Sequence, residues 1–354
     1  MLMELDPIMD LALAERASDI FLKADAPPAL RVDGKVRQTE LPVLSAEDVR
    51  DTAYNVMTPE QIGKFERHNE MDLAFTYKDK CRFRVNIYRQ RGTVGMVMRL
   101  IPLRIYTLEE LKMPPVVAEM TKLHQGLILV TGPTGSGKST TLAAMIDLIN
   151  QTRSANIVTI EDPIEFVHPD KKSIVSQREI SIDTSSFTEA LKYVVRQSPD
   201  VILIGEMRDV ETMNVALAAA ETGHLVFSTV HTTSAADTME RIINMFPPHQ
   251  KQQICLRLST SLMGIISQKL IPLKDMRGRI AAVEILTATP TTVKLIEEGR
   301  SSQLYSAISE GAFFGMQTMN QCLDRYVKQG LISEEDALAN AGNLTELKQM
   351  LRRS

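Results

Sequence analysis

The stretch Gly132-Pro133-Thr134-Gly135-Ser136-Gly137-Lys138-Ser139 decides the fold. It satisfies G-x-x-x-x-G-K-[S/T]. In that spacing glycines let backbone N–H groups converge on a β-phosphate, the lysine reaches β- and γ-oxygens, and the last hydroxyl can coordinate Mg²⁺. The motif carries this meaning only between a strand and a helix. Gly126-Leu127-Ile128-Leu129-Val130 precedes it as a short apolar run, and Leu142, Met145, Ile146 and Ile149 follow on one helical face. The required context is therefore present. Gly132, Pro133, Thr134, Gly135, Ser136, Gly137, Lys138, Ser139 and Thr140 form a candidate nucleotide cradle, with Ser139 a candidate metal ligand.

Outward from this loop the same grammar repeats. Ile157-Val158-Thr159-Ile160, Val201-Ile202-Leu203-Ile204 and Leu225-Val226-Phe227 are short, β-branched-rich and non-alternating, as strands covered on both faces are. Helical stretches separate them, including Ser186-Phe187-Thr188-Glu189, which reads as a capping box ahead of the stripe Phe187, Ala190, Leu191 and Val194. Strand and helix in alternation predict a parallel, doubly wound α/β sheet. Beyond about residue 290 the pattern is helical, ending in Arg352-Arg353.

Toward the amino terminus the pattern becomes mixed α+β. Leu5, Ile8, Met9 and Leu13 have helical spacing, and Asp33-Gly34 between alternating residues signals a hairpin. Ser45 and Thr58-Pro59 read as helix starts. Phe83, Val85 and Ile87 alternate with Arg82, Arg84 and Asn86, and a second strand, Val94 to Leu100, follows Gly92. The proline-containing stretch around Pro102 to Pro115 reads as a connection. The expected organisation is a small sheet domain over 1–102, a linker over 103–115, and an α/β domain over 116–354.

In an open parallel sheet, ligands bind beyond the carboxyl ends of the strands. Glu161, Asp162 and Glu165 follow one strand run, Glu206 another and His231 a third. Phosphoryl transfer needs one carboxylate to orient or deprotonate water and another to serve Mg²⁺. Glu165 suits the first role and Glu206, in the Walker B position, the second. Glu161 and Asp162 read equally as a turn before Pro163. His231 is either a γ-phosphate contact or a structural histidine. Arg84 and Arg99 lie equidistant from an Arg91-Gly92 turn and so face each other across two strands. Such a pair is either solvated or held by an anion between the two charges.

Composition limits the rest. The 354 residues are 44% apolar and 24% charged, with 40 basic against 44 acidic side chains and a net charge of −4. That balance gives no general attraction to nucleic acid. Cys81, Cys255 and Cys322 are scattered, which suggests neither a disulfide framework nor a zinc ribbon and fits a reducing compartment. Acidic residues such as Glu4 argue against a signal peptide, and no run approaches a membrane span.

With these boxes quoted, a family resemblance emerges. The phosphate loop, Thr159-Ile160-Glu161-Asp162-Pro163-Ile164-Glu165, Gly205-Glu206-Met207-Arg208-Asp209 and the stretch Glu221 to Thr232 resemble those of secretion-superfamily ATPases. They most resemble the type IV pilus retraction, or twitching-motility, ATPases. The resemblance implies a PAS-like N-terminal domain joined to a RecA-like P-loop ATPase domain, using ATP and Mg²⁺. It implies a homo-hexamer at the cytoplasmic base of the pilus machine, held to the inner membrane through a platform protein and sometimes accompanied by a paralogous retraction ATPase. Glu165 would be the general base, Glu206 the Walker B and metal-linked carboxylate, His231 a γ-phosphate contact and His224 a support. Arg84 and Arg99 would reach nucleotide phosphates.

Two departures from related patterns stand out. Thr291 to Arg300 keeps Gly299 but lacks the arginine usual in the late retraction segment, which leaves room for an accessory paralogue or a non-catalytic docking subunit. The four-cysteine module typical of pilus-assembly ATPases has no counterpart in this sequence. A nucleic-acid translocase is the reading from a different class, and the charge balance disfavours it.

Overall fold

The structure, a computed structural model, describes residues 6–15, 17–32, 34–78, 81–101, 104–274 and 278–352. The expectations placed on Glu4, Leu5, Asp33, Pro102 and Arg353 lie outside these residues. The chain divides into two compact units, Met1–Arg104 and Ile105–Ser354.

The first unit is built on a six-stranded antiparallel sheet. Its strands are Asp19–Lys23 (β1), Ala29–Val32 (β2), Lys35–Gln38 (β3), Glu70–Tyr77 (β4), Cys81–Gln90 (β5) and Thr93–Ile101 (β6), in the order β3-β2-β1-β6-β5-β4. Alternation decides which face is covered. Phe83, Val85, Ile87, Met96 and Met98 are fully buried, together with Ile8 and Met9 from the helix Asp6–Ala14. The helices Ala46–Asn55 and Pro59–His68 begin where expected. Ser45 and Thr58 each close a reciprocal capping box that satisfies two otherwise orphaned N–H groups. β5 and β6 are joined by the two-residue turn Arg91-Gly92, both at positive φ (47° and 77°), the geometry that matches strand twist.

The second unit carries a seven-stranded sheet. Gly126–Thr131 (β7), Asn156–Glu161 (β8), Ile174–Glu179 (β9), Val201–Ile204 (β10), Leu225–Val230 (β11), Leu262–Pro272 (β12) and Arg279–Thr287 (β13) take the order β13-β12-β7-β11-β10-β8-β9. β7, β10 and β11 are buried along their whole length, as apolar runs covered on both faces must be. The α/β class is as expected, but the all-parallel sheet is corrected. β12 runs parallel to β7, and β13 returns antiparallel to β12, so the sheet is mixed. The capping box expected at Ser186 is half formed. Ser186 Oγ accepts from the Glu189 N–H at 3.1 Å, whereas the Glu189 carboxylate pairs with Lys192 at 3.9 Å.

The stretch expected as a linker is built into the second unit on its carboxyl side. Leu108 is buried with Val117, Met120 and Ile128, and Leu111 and Met113 pack against the same cluster. Thr107 and Glu110 cap each other at its start. Beyond residue 290 the chain is helical as read, through Pro290–Glu297, Leu304–Glu310, Met319–Lys328, Glu334–Ala339 and Leu344–Arg352.

Candidate active site

The loop after β7 has the backbone its glycines allow. Gly132, Gly135 and Gly137 sit at φ of 149°, 78° and 87°, which side-chain-bearing residues rarely adopt. Space enforces two of them independently. A Cβ on Gly132 would lie 2.4 Å from the Gln268 carbonyl, and one on Gly137 would lie 2.8 Å from Gln268 Nε2. Gly137 then caps the helix Lys138–Thr152, whose first N–H groups carry the positive end of the helix dipole.

Lys138 is almost wholly buried, and its Nζ donates to the carbonyls of Gly132 (3.0 Å) and Pro133 (3.1 Å). Burial lowers its pKa, and the charges of Glu206 and Glu165 partly oppose that shift. Ser136 Oγ is buried with no hydrogen-bond partner among the described residues. A buried hydroxyl without a partner is costly, so an acceptor is expected to complete it, and a phosphate oxygen supplies one. The glycine cradle, the desolvated cation and the unsatisfied donor together fit a polyphosphate. A serine hydroxyl and a carboxylate, with phosphate and water for the rest, suit Mg²⁺. Ser139, at the helix start, and Glu206 are the residues that would hold it.

Glu206 follows β10. Gly205 N–H bonds the Ile160 carbonyl at 2.8 Å, and a Cβ on Gly205 would meet Glu161 Cα at 3.3 Å, so the glycine lets the two strand ends converge. Thr229 Oγ1 and Ser228 Oγ donate to the carbonyls of Gly205 and Ile204, both at 2.7 Å, and lock β11 against this corner. The Glu206 carboxylate receives Arg208 at 2.7 Å and stands 3.3 Å from His231 Nε2. Partial burial pushes its pKa up, but the Arg208 hydrogen bond and the neighbouring positive charge outweigh burial and hold it below the ordinary value. Glu206 and His231 are thus in contact, and Glu206 and Glu165 both act on the lysine.

The neighbouring acids divide. Glu165 is exposed and available to solvent. Glu161 is pushed up by burial, against hydrogen bonds from Thr159 (2.7 Å) and Gln177 (3.1 Å) that favour its charged form. The Gln177 bond pins β8 to β9. Asp209 caps the helix Val210–Glu221 by accepting from Thr212 N–H at 2.8 Å. His224 is not brought to this corner. It precedes β11, with Nδ1 2.9 Å from the Ala219 carbonyl, and its own carbonyl receives Gly126 N–H at the start of β7. A six-residue strand, about 20 Å, separates it from the His231 end. Any supporting role it has is exerted from the opposite edge of the sheet.

Arg84 and Arg99 belong to the first unit, and the register places them opposite each other as expected. The anion beside Arg99 is one the sequence reading missed. Asp19, 3% exposed, accepts from Arg99 Nε at 2.9 Å and pairs with Arg31 Nε at 3.1 Å. Its only sequence signal is an acid immediately before the Ile20–Leu22 run. Gln268 was missed as well, and its spacing from the loop gave no cue.

Comparison with known proteins adds to this geometry. Residues 2–338 match the model of the type II/IV secretion system protein family. The chain is 48% identical to the type IV pilus retraction ATPase PilT of Pseudomonas aeruginosa, over 96% of this chain and 98% of that protein. It is 41% identical to the type IV pilus ATPase PilU of the same organism, over 99% and 92%. A crystal structure of the pilus retraction motor PilT with bound ADP superposes with a TM-score of 0.93 at 46% identity, covering 98% of this chain and 99% of that one. The chain belongs to the type II/IV secretion system protein family.

Proposed function

We propose that the chain is an ATP-hydrolysing motor that acts as a homo-hexamer and drives type IV pilus retraction. The observation that carries this reading is one strand-edge corner. There a buried, desolvated Lys138, an unsatisfied Ser136 hydroxyl and a Glu206–His231 pair surround a glycine cradle. Similarity to a retraction ATPase over almost the whole of both chains supports the wider reading.

The residues divide the labour of phosphoryl transfer. Lys138 exchanges the Gly132 and Pro133 carbonyls for β- and γ-oxygens of ATP, and Ser136 donates to the same group. Ser139 and Glu206 would hold Mg²⁺, which would supply charge neutralisation at those oxygens. Glu165, exposed and so within reach of water, orients or deprotonates the attacking molecule. His231, resting on Glu206, contacts the γ-phosphate, which makes that contact sensitive to hydrolysis. Arg84 and Arg99 are assigned to the phosphates, with Asp19 keeping Arg99 in register. Among the described residues no helix is long and apolar enough to cross a membrane. A cytoplasmic site at the inner membrane, reached through a platform protein, belongs to the same proposal.

Purified chain should turn over ATP in a Mg²⁺-dependent way, and its deletion from the parent organism should slow or stop pilus retraction seen directly by microscopy. Turnover without any retraction defect would favour the second reading, an accessory paralogue. That reading is motivated by the late segment Thr291 to Arg300, which keeps Gly299 but has Val293 where the retraction pattern leads one to expect arginine.

A further inference from the structure

β12 and β13 contribute nothing to the four sequence boxes, yet side chains from one level of this hairpin reach both halves of the site. Ser267 and Glu284 are register partners, and Gln268 is the next residue along β12. Ser267 Oγ accepts from Thr131 Oγ1, at the last residue of β7, at 2.9 Å. Gln268, 2% exposed, uses both ends of its amide. Nε2 donates to the Ser136 carbonyl at 2.7 Å, and Oε1 accepts from Thr141 Oγ1 at 2.8 Å. A loop that aims its N–H groups at phosphate must turn its carbonyls away and satisfy them elsewhere. Gln268 does this for Ser136 and ties the loop to the first turn of its helix.

Glu284, 4% exposed, accepts from Ala235 N–H at 2.8 Å, the first residue of the helix Ala235–Met245. The carboxylate thus holds the positive end of that helix. From the same helix Arg241 reaches back and donates to the His231 carbonyl at 2.9 Å. His231 in turn meets Glu206.

We infer that the β12–β13 hairpin is a positioning element of the ATPase site, with Gln268 setting the phosphate loop and Glu284 setting the His231 loop. The inference rests on the proposed ATPase reading and goes beyond it, because neither residue touches the substrate. It separates two effects that a purely structural role would merge. Gln268 acts where any nucleotide's β-phosphate binds, whereas Glu284 acts on the residue that meets the γ-phosphate.

The test measures fluorescent N-methylanthraniloyl-ADP binding and ATP turnover by the intact oligomer of wild type and of Gln268→Leu, Gln268→Glu, Glu284→Leu and Glu284→Gln. Gln268→Leu should weaken ADP binding and raise KM for ATP by about tenfold or more, with kcat changed less. Glu284→Leu should lower kcat by about tenfold or more while ADP affinity stays within about threefold. Glu284→Gln, which keeps one acceptor oxygen, should recover part of that loss. The isosteric Gln268→Glu keeps the Thr141 contact and loses the Ser136 contact, so it should still weaken ADP binding if the leucine variant does not fold. Wild-type affinity and turnover in the folded variants would overturn the inference, as would a parallel loss of both parameters in both positions. Absence of turnover in the wild type would instead strike the ATPase reading.

Discussion

Lys138 and Arg99 are both cations assigned to phosphate, and the fold treats them in opposite ways. Lys138 is drawn almost entirely out of water with the Gly132 and Pro133 carbonyl dipoles in contact, and burial lowers its pKa. Arg99 is 68% exposed and leans on a buried carboxylate, Asp19, that Arg31 shares. The lysine therefore pays a desolvation cost that a polyanion would relieve. The arginine is already neutralised and held in register at little cost. In the proposed reading, the group that grips the ligand is held by carbonyl dipoles, and the group that is aimed is given a counter-ion.

Substitutions test this contrast, beginning with the largest effect. Lys138→Ala should cut turnover on the order of 10³-fold and abolish nucleotide binding. Because burial lowers the lysine's pKa in the fold, the protonated group opposes folding at neutral pH, and this penalty fades as pH rises through the folded value. The nucleotide-free variant should therefore melt no lower than wild type, and a clear fall in Tm would break the contrast. Glu206→Gln should slow hydrolysis about 10²-fold while sparing nucleotide binding, measured by turnover and by fluorescent ADP. Unchanged turnover would remove Glu206 from the site.

Smaller effects are expected in the first unit. Asp19→Asn leaves two arginines without their anion and should cost about 1–2 kcal/mol, since both partners remain partly solvated. Arg99→Gln should cost less in a thermal melt, because its side chain is mostly exposed. An equal or larger loss would mean that Arg99 is structural rather than aimed. The smallest effect is a pH dependence. Glu206 is held below its ordinary pKa, so its stabilising contacts with Arg208 and His231 persist at neutral pH and disappear as pH falls through that lowered value. Chemical denaturation of wild type and Glu206→Gln should converge as pH falls below the ordinary glutamate range, over a few tenths of a kcal/mol.

What the sequence discloses depends on how local the physics is. β7, β8, β10 and β11 are legible because strands covered on both faces need uninterrupted apolar runs, and the phosphate loop is legible because its backbone needs glycine at fixed spacing. The Arg84–Arg99 pairing is legible because a two-residue turn fixes the register on either side. β12 is not, since it begins at Leu262 directly after the helix ending at Ser261, with no turn residue between them. Its interior polar residues, Ser267 and Gln268, find partners some 130 positions away. Asp19 escapes for the same reason, its partner Arg99 lying 80 residues on. His224 is the reverse case. It lies seven positions from His231 in sequence, and the intervening strand β11 sends the two to opposite ends of the sheet.

The Arg91-Gly92 turn has a consequence for tolerance to insertion. Along β6 a buried Met98 precedes an exposed Arg99, and successive side chains point to opposite faces. One added residue, if the two-residue turn re-formed beside it and β5 stayed fixed, would slip the strand by one position, sending Arg99 into the apolar layer and Met98 into water. A three-residue loop with a bulge absorbs the same insertion without shifting the pairing, so the capacity of this turn to bulge decides which face carries the charge.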